Sequence, residues 1–100
     1  MIYITQLIYL AEGQEAVFNQ FEAVAIPIIS KYNGKLLLRM RTPAENVIEA
    51  GMEIPYEIHL VSFESSDDFE AFKLDEERRK YLHLKDQAIR SVLLIKGESC

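Results

Sequence analysis

Four segments of the chain predict β-strands, the first from its β-branched and aromatic residues and the second and third from apolar residues at alternate positions. The predicted strands are Ile2–Leu10, Lys35–Arg41, Tyr56–Phe63 and Ser91–Lys96. Between the first two strands, apolar residues recur at intervals of three and four positions, which predicts a helix. These residues are Phe18, Phe21, Ala25, Ile28 and Tyr32. Pro27 lies inside this helix and predicts a kink, because proline has no backbone N–H to donate.

A second helical region follows the third strand. Ser65 precedes Ser66, Asp67 and Asp68, and a serine followed by acidic residues is typical of a helix N-terminus. A further helical segment starts near Asp75, so the element order is β-α-β-β-α-β. This order favours an α+β, ferredoxin-like fold, in which a four-stranded antiparallel sheet carries two helices on one face. We expect a single domain that spans residues 1–100.

The alternation divides the sheet residues between two faces. The face assigned to the helices carries Ile2, Ile4, Ile8, Leu10, Leu36, Leu38, Met40, Ile58 and Leu60. The uncovered face carries Tyr3, Leu7, Tyr9, Leu37, Val61 and Phe63, with Arg39, Arg41, Glu57 and His59 among them. Such an apolar face is larger than a monomer usually exposes, and it predicts a homodimer that packs sheet against sheet. The alternative is that the segment Thr42–Pro55 forms a long hairpin that covers this face.

Composition narrows the possible partners. Apolar types make up 49% of the 100 residues and the formal net charge is −5, which argues against nucleic acid, because phosphate binding needs a basic surface. The lone cysteine, Cys100, argues against a disulfide framework. The apolar segment at residues 2–10 has no basic n-region and no small-residue cleavage site, so we expect no signal peptide, and no run reaches the roughly 20 apolar residues of a membrane span. We therefore expect a cytoplasmic protein with no membrane partner.

Several short motifs resemble the dimeric α+β barrel superfamily, which includes antibiotic-biosynthesis monooxygenases and NIPSNAP proteins. The matching pieces are Lys31-Tyr32-Asn33-Gly34-Lys35, Leu37-Leu38-Arg39, Glu49-Ala50-Gly51, Val61-Ser62-Phe63 and Leu94-Ile95-Lys96-Gly97. The chain is most similar to an uncharacterised family of that superfamily and departs from it at Asn33, where the family has glycine. The resemblance implies a ferredoxin-like fold that dimerises as an α+β barrel. It implies no particular reaction, because one fold hosts many functions.

His59 is the first candidate for chemistry. It shares a strand face with Glu57, and Arg39 and Arg41 lie on the neighbouring strand. In a partly dry pocket an imidazole has a shifted pKa and serves as a general base, and Arg39 then stabilises an anion. The alternative is structural: Glu57 pairs with an arginine, and His59 lies at the dimer interface.

The remaining candidates are weaker. Tyr3, Tyr9, Arg41 and Glu57 are candidate ligand-binding residues, although tyrosines are also common anchors of interfaces. Glu57 and His59 are too few ligands for a metal site, and the chain has no cofactor motif, so we expect neither metal nor cofactor. His83 and the charged run 75–80 are predicted to lie on a solvated helix face.

Two functions remain open from the sequence. The first is a small cytoplasmic homodimer that binds or acts on a small organic molecule in a pocket at the sheet, without a bound cofactor. The second is a non-enzymatic dimeric interaction module whose polar sheet residues only fix the dimer interface. A cavity of roughly 300 Å³ beside His59 favours the first function, and a filled interface favours the second.

Overall fold

A computed structural model of the protein describes residues 1–98 and confirms the ferredoxin-like element order. The four antiparallel strands are β1 (Ile2–Leu10), β2 (Gly34–Arg41), β3 (Glu57–Phe63) and β4 (Ile89–Glu98). They form one sheet in the order β2-β3-β1-β4. The helices are α1 (Glu15–Ile28), α2 (Ser66–Lys73), α3 (Glu76–Lys80) and α4 (Leu82–Ala88). Cys100 lies outside the described residues.

Local sequence sets the ends of these helices. Helix α1 passes through Pro27 and tightens into a 3-10 turn, Ile29–Tyr32. Asn33 then adopts a left-handed conformation with φ 57° and ends the turn. Asparagine tolerates this conformation better than most residues do. A Cβ on Gly34 would lie 2.6 Å from side-chain atoms of Ile29 and Phe63. Only glycine therefore fits where the chain enters β2.

The face assignment made from the sequence is right for β1 and wrong for β3. The register pairs Ile4 with Val61 and Gln6 with His59, so these side chains share one face. Helices cover that face, where Val61 is 5% exposed and His59 is 3% exposed. The β3 residues beneath the helices are therefore Glu57, His59, Val61 and Phe63, and Ile58 and Leu60 lie on the opposite face.

Aromatic packing determines this orientation of β3. The ring of Phe63 packs against Phe69 and Phe72 of α2, with ring centroids 5.4 and 5.5 Å apart. These rings form the main core together with Ile2, Ile4, Ile28, Ile29 and Val61. Turning Ile58 and Leu60 toward the helices would remove Phe63 and Val61 from this core. Alternation alone could not reveal this preference, because both faces of β3 carry apolar residues.

An irregularity in β2 changes the face of its second half. The register of β2 with β3 shifts between Leu36 and Leu38, and a shift of one residue exchanges the two faces of a strand. Arg39 then pairs with His59 and Arg41 pairs with Glu57. Both arginines therefore lie on the helix-covered face, whereas Leu38 and Met40, which were assigned to the helices, lie on the other.

The face that no helix covers, here called the open face, is apolar as predicted but has different members. Its residues are Tyr3, Leu7, Tyr9, Leu38, Met40, Ile58, Leu60, Leu93 and Ile95. Several of them are substantially exposed, including Leu93 at 45% and Ile95 at 50%. No helix in the described part of the chain has the length and hydropathy that a bilayer crossing requires.

The segment 42–56, here called the strap, does not form the predicted long hairpin. It contains one short 3-10 turn, Ala44–Asn46, and is otherwise irregular. The Tyr9 hydroxyl donates to the backbone carbonyl of Glu53 at 3.0 Å, and Tyr9 is 7% exposed. The strap therefore covers the end of the open face at Tyr9 and leaves residues such as Leu38 and Leu93 exposed.

Candidate functional site

Glu57 is the centre of an ionic cluster formed by Arg39, Arg41, Glu57 and His59. Its carboxylate accepts hydrogen bonds from Nε of Arg39 at 2.7 Å and from Nε of Arg41 at 3.0 Å. It also makes a short hydrogen bond with Nε2 of His59. The structure thus brings these four predicted site residues together. It places them beneath the helices, which corrects their assignment to the uncovered face.

The ionic cluster sets the charge states of its buried members. Burial raises the pKa of Glu57, but the hydrogen bonds from Arg39, His59 and Arg41 outweigh it, so the pKa lies below its ordinary value. Burial lowers the pKa of His59, although its hydrogen bond to Glu57 opposes this effect. The net lowering of the His59 pKa favours the neutral imidazole. Because Nε2 faces an ionised carboxylate, we assign the proton to Nε2 and the lone pair to Nδ1.

His59 also lines a cavity between the sheet and the helices. The cavity has a volume of about 110 Å³, which is below the roughly 300 Å³ of drug-sized pockets but exceeds the space that one water needs. Its walls are mainly apolar, with aromatic side chains from α1, α2 and β3. The polar residues that line it are Gln6, Glu22, His59, Lys73, Arg78 and Lys85.

Glu22 is a functional candidate that the sequence reasoning missed. It is 7% exposed, and within residues 1–98 its carboxyl group forms no hydrogen bond or ion pair. Burial raises its pKa to about 7, with Arg39 opposing the change. The sequence does indicate that Glu22 is buried, because it lies four residues after Phe18 and three before Ala25. This spacing places it inside the apolar stripe of α1.

Arg78 corrects the prediction that the run 75–80 is fully solvated. Its guanidinium carbon lies 5.0 Å from the ring centroid of Phe72 and 5.7 Å from that of Phe21. Its Nη1 donates to the carbonyl of Lys73 at 3.2 Å. Asp75 is also buried, at 8% exposed, because it caps α3 by accepting the Arg78 N–H at 2.8 Å.

The other predicted ligand-binding residues do not join the cavity. Tyr3 and Tyr9 lie on the open face, whereas Arg41 and Glu57 lie on the helix-covered face. These four residues therefore do not form one binding site. His83 is exposed on α4, as predicted. Among residues 1–98, no group of three or more His, Cys, Asp or Glu side chains is placed to hold a metal ion.

Arg39 and Arg41 border a second, more open depression of about 370 Å³ with Asn19 of α1. The Nη2 of Arg41 donates to the Asn19 side-chain oxygen at 3.3 Å. Arg39 does not line the inner cavity. It binds Glu57, which in turn binds His59 in the cavity wall. The cationic residues at the cavity itself are Lys73, Arg78 and Lys85, none of which was singled out from the sequence.

Comparisons with known proteins establish the fold. Neither protein-family models nor curated proteins give a match to this chain. Solved structures do match it, including a Rhodopseudomonas palustris protein of unknown function, RPA0582, with TM-score 0.82 and 15% identity over 99% of this chain and 82% of that one. The NIPSNAP family protein Atu4242 of Agrobacterium tumefaciens has TM-score 0.72 and 17% identity over 97% and 86% of the two chains.

A third solved structure is a dimeric ferredoxin-like protein of unknown function from Jannaschia sp. CCS1, with TM-score 0.71 and 14% identity over 98% of each chain. The chain therefore has the ferredoxin-like fold of these proteins. The resemblance to dimeric ferredoxin-like and NIPSNAP proteins, indicated by short motifs in the sequence, is confirmed at the level of the fold.

Proposed function

We propose that this protein binds a small organic molecule in the cavity between its sheet and helices and exchanges protons with it. The observation that carries this proposal is that Glu22 and His59, 7% and 3% exposed, line the same mainly apolar cavity. Apolar cavities with a few convergent polar groups of shifted pKa are typical of small-molecule sites. The small volume favours a ligand of only a few non-hydrogen atoms.

Each polar residue of the site has a role in this proposal. Glu22, with its pKa raised to about 7 by burial, serves as acid or base near neutral pH, where proton transfer is most efficient. His59 accepts a proton at Nδ1. Glu57 is a positioning residue, because it holds His59 by a hydrogen bond and is itself held by Arg39 and Arg41.

The alternative of a pure interaction module has less support. In that hypothesis the polar sheet residues fix the dimer interface. The ionic cluster lies beneath the helices, on the opposite side of the sheet from the apolar open face. Charged residues in that position do not touch a partner that packs on the open face, so the burial of Glu57 and His59 needs another explanation.

We also propose a homodimer of single-domain protomers that pack through their open faces. Leu38, Met40, Leu93 and Ile95 are between 42% and 50% exposed, and monomers rarely leave such a patch in water. The similar protein from Jannaschia sp. CCS1 is described as dimeric. The helix-side cavity remains accessible to a ligand in such a dimer, since the two surfaces lie on opposite sides of the sheet.

A fragment screen by protein NMR tests the proposed function. Neutral and ionic fragments of three to seven non-hydrogen atoms are added to the full chain, and we expect some to shift resonances of Phe21, Phe72 and His59. In the Glu22→Gln and His59→Gln variants, the shifts caused by the same fragments should differ from those in the wild-type protein. Glu12→Gln and His83→Gln, at exposed positions, serve as matched controls. A screen in which no fragment perturbs the cavity residues contradicts the proposal.

A further inference from the structure

The cavity has more positive than negative lining groups. Lys73, Arg78 and Lys85 line it with a single acid, Glu22. Lys73 is compensated, because its ammonium pairs with Glu70 at 3.1 Å. Within residues 1–98, neither Arg78 nor Lys85 forms a side-chain ion pair with a carboxylate. Two cations therefore line the cavity without an ion-pair partner, and the acids that act on them from a longer distance are Asp75 and Glu22 for Arg78 and Asp86 and Glu22 for Lys85.

Arg78 is held in place yet has an unused donor. The rings of Phe72 and Phe21 flank its guanidinium, and Nη1 is bound to a backbone carbonyl. Its Nε is buried and has no hydrogen-bond acceptor within the described part of the chain. Buried donors without partners are rare in folded proteins. A fixed guanidinium with a free N–H is suited to donate a hydrogen bond to an oxygen anion.

Lys85 adds a second cation at the same cavity. Its ammonium is partly buried on α4, and burial lowers its pKa, as does the nearby charge of Arg78. Glu22 is a poor counter-ion for the pair, because burial raises its pKa to about 7 and so leaves it partly protonated at neutral pH. A bound anion would relieve the repulsion between Arg78 and Lys85.

We propose that the ligand of this cavity is a small carboxylic acid, bound as its carboxylate to Arg78 and Lys85 with its apolar part against the phenylalanine rings. This inference rests on the proposed function and names its ligand class. A carboxylate suits the site better than a phosphate, because the walls are mainly apolar and one negative charge, together with the partly ionised Glu22, compensates Arg78 and Lys85. The remaining carbon atoms of the ligand then lie within reach of Glu22 and His59.

Matched pairs of probes test the charge requirement. The full chain is titrated by NMR with isobutyrate and with isobutyramide, its neutral isostere, and with inorganic phosphate at the same ionic strength. We expect isobutyrate to shift the cavity resonances and to bind at least tenfold tighter than the amide or phosphate. Equal affinity for isobutyrate and isobutyramide overturns the assignment of a carboxylate ligand. Tighter binding of phosphate than of isobutyrate overturns it as well. Both results leave the proposed small-molecule site in the cavity intact.

Variants test the residues. Arg78→Gln and Lys85→Gln should each weaken isobutyrate binding at least tenfold, whereas Arg79→Gln and Lys80→Gln, at exposed neighbours on α3, should stay within twofold of wild type. Arg78→Lys serves as a second variant if Arg78→Gln does not fold, and it should bind with intermediate affinity. Unchanged binding in both cavity variants overturns the inference. If no fragment of the screen binds in the cavity, the proposed function itself is contradicted. That result is distinguishable from a failure of the carboxylate assignment, in which other fragments still bind.

Discussion

The two faces of the sheet depart from the usual relation between polarity and exposure in opposite ways. The helix-covered face buries Glu57 and His59, at 1% and 3% exposed, whereas the open face exposes Leu93 and Ile95 to nearly half their area. Buried polar groups and exposed apolar patches are the informative departures from ordinary burial. The covered face therefore points to a ligand site, and the open face points to a protein partner.

The faces also differ in what stabilises them. On the covered face, Glu57 satisfies three side chains at once, and its removal leaves them without their acceptor. On the open face, each leucine or isoleucine acts almost independently, and its apolar area is withdrawn from water only by a partner. Changes on the covered face should therefore affect folding, and changes on the open face should affect association.

The largest expected effect is that of Glu57→Ala. The change leaves a cavity in place of the buried Glu57 side chain and leaves buried His59 without its acceptor, whereas Arg39 and Arg41 are partly exposed and regain water. Together the cavity and the lost hydrogen bond cost about 4 kcal/mol of unfolding free energy. Urea denaturation measures it. Glu53→Ala is the control, because its ion pair with Arg90 is exposed and is worth about 1 kcal/mol or less. Equal losses in the two variants would contradict the central role of Glu57.

Glu22→Gln should change how stability depends on pH. The pKa of Glu22 rises from 4.5 to about 7 on folding, chiefly through burial, so the folded protein binds this proton more tightly. The stability that it contributes is present below pH 4.5 and is lost as pH rises through 7, by about 3 kcal/mol in total.

The variant should therefore be less sensitive to pH and more stable than wild type at pH 8. Parallel denaturation curves at pH 5 and pH 8 measure this difference. Glu12→Gln, at an exposed position, should leave the wild-type dependence unchanged. If Glu22→Gln retains the full loss of stability between these pH values, the acid is not the group that titrates, and its proposed role as a proton donor fails.

Much of this fold was predictable from the sequence, because helical spacing and strand alternation are local signals. The association of His59 and Glu57 with Arg39 and Arg41 was predictable as well, because β2 and β3 are neighbours. The face of Arg39 and Arg41 was not predictable, because the register shift between Leu36 and Leu38 has no glycine or proline to mark it, and one residue exchanges the faces. The face of Glu57 and His59 was not predictable either, because both faces of β3 carry apolar residues.

The cavity itself was less predictable. Glu22 could have been identified from its position in the apolar stripe of α1. Arg78 could not, because it lies in a run of charged residues whose spacing fits a solvated helix. Its burial depends on the break between α2 and α3, where the cap at Asp75 starts a new helix. The start of a helical segment near Asp75 was predicted from the sequence, but the packing of Arg78 against Phe21 and Phe72 was not, because it depends on tertiary contacts.

Leu93→Asp should break the open face without unfolding the protomer. The side chain is 45% exposed in the protomer, so we expect its unfolding free energy to change by about 1 kcal/mol or less. An unpaired carboxylate in an apolar interface should weaken dimerisation by about 2 kcal/mol, or roughly 30-fold in the dissociation constant. Sedimentation equilibrium measures this change.

Leu74→Asp is the matched control, because Leu74 is 67% exposed at the end of α2 and away from the sheet. Its dimerisation should equal that of wild type. A wild-type protein that sediments as a monomer at micromolar concentration would contradict the assignment of the open face as the interface. Equal weakening by both variants would indicate a different interface.

The smallest expected effect concerns the one end of the open face that the strap covers. Tyr9→Phe removes the hydrogen bond from the Tyr9 hydroxyl to the Glu53 carbonyl, and we expect a loss of about 1 kcal/mol of unfolding free energy together with faster hydrogen exchange in the strap. Tyr3→Phe is the control, because within residues 1–98 the Tyr3 hydroxyl has no hydrogen bond. If the two variants behave alike, the Tyr9 hydrogen bond does not hold the strap, which is then held on the open face by packing alone.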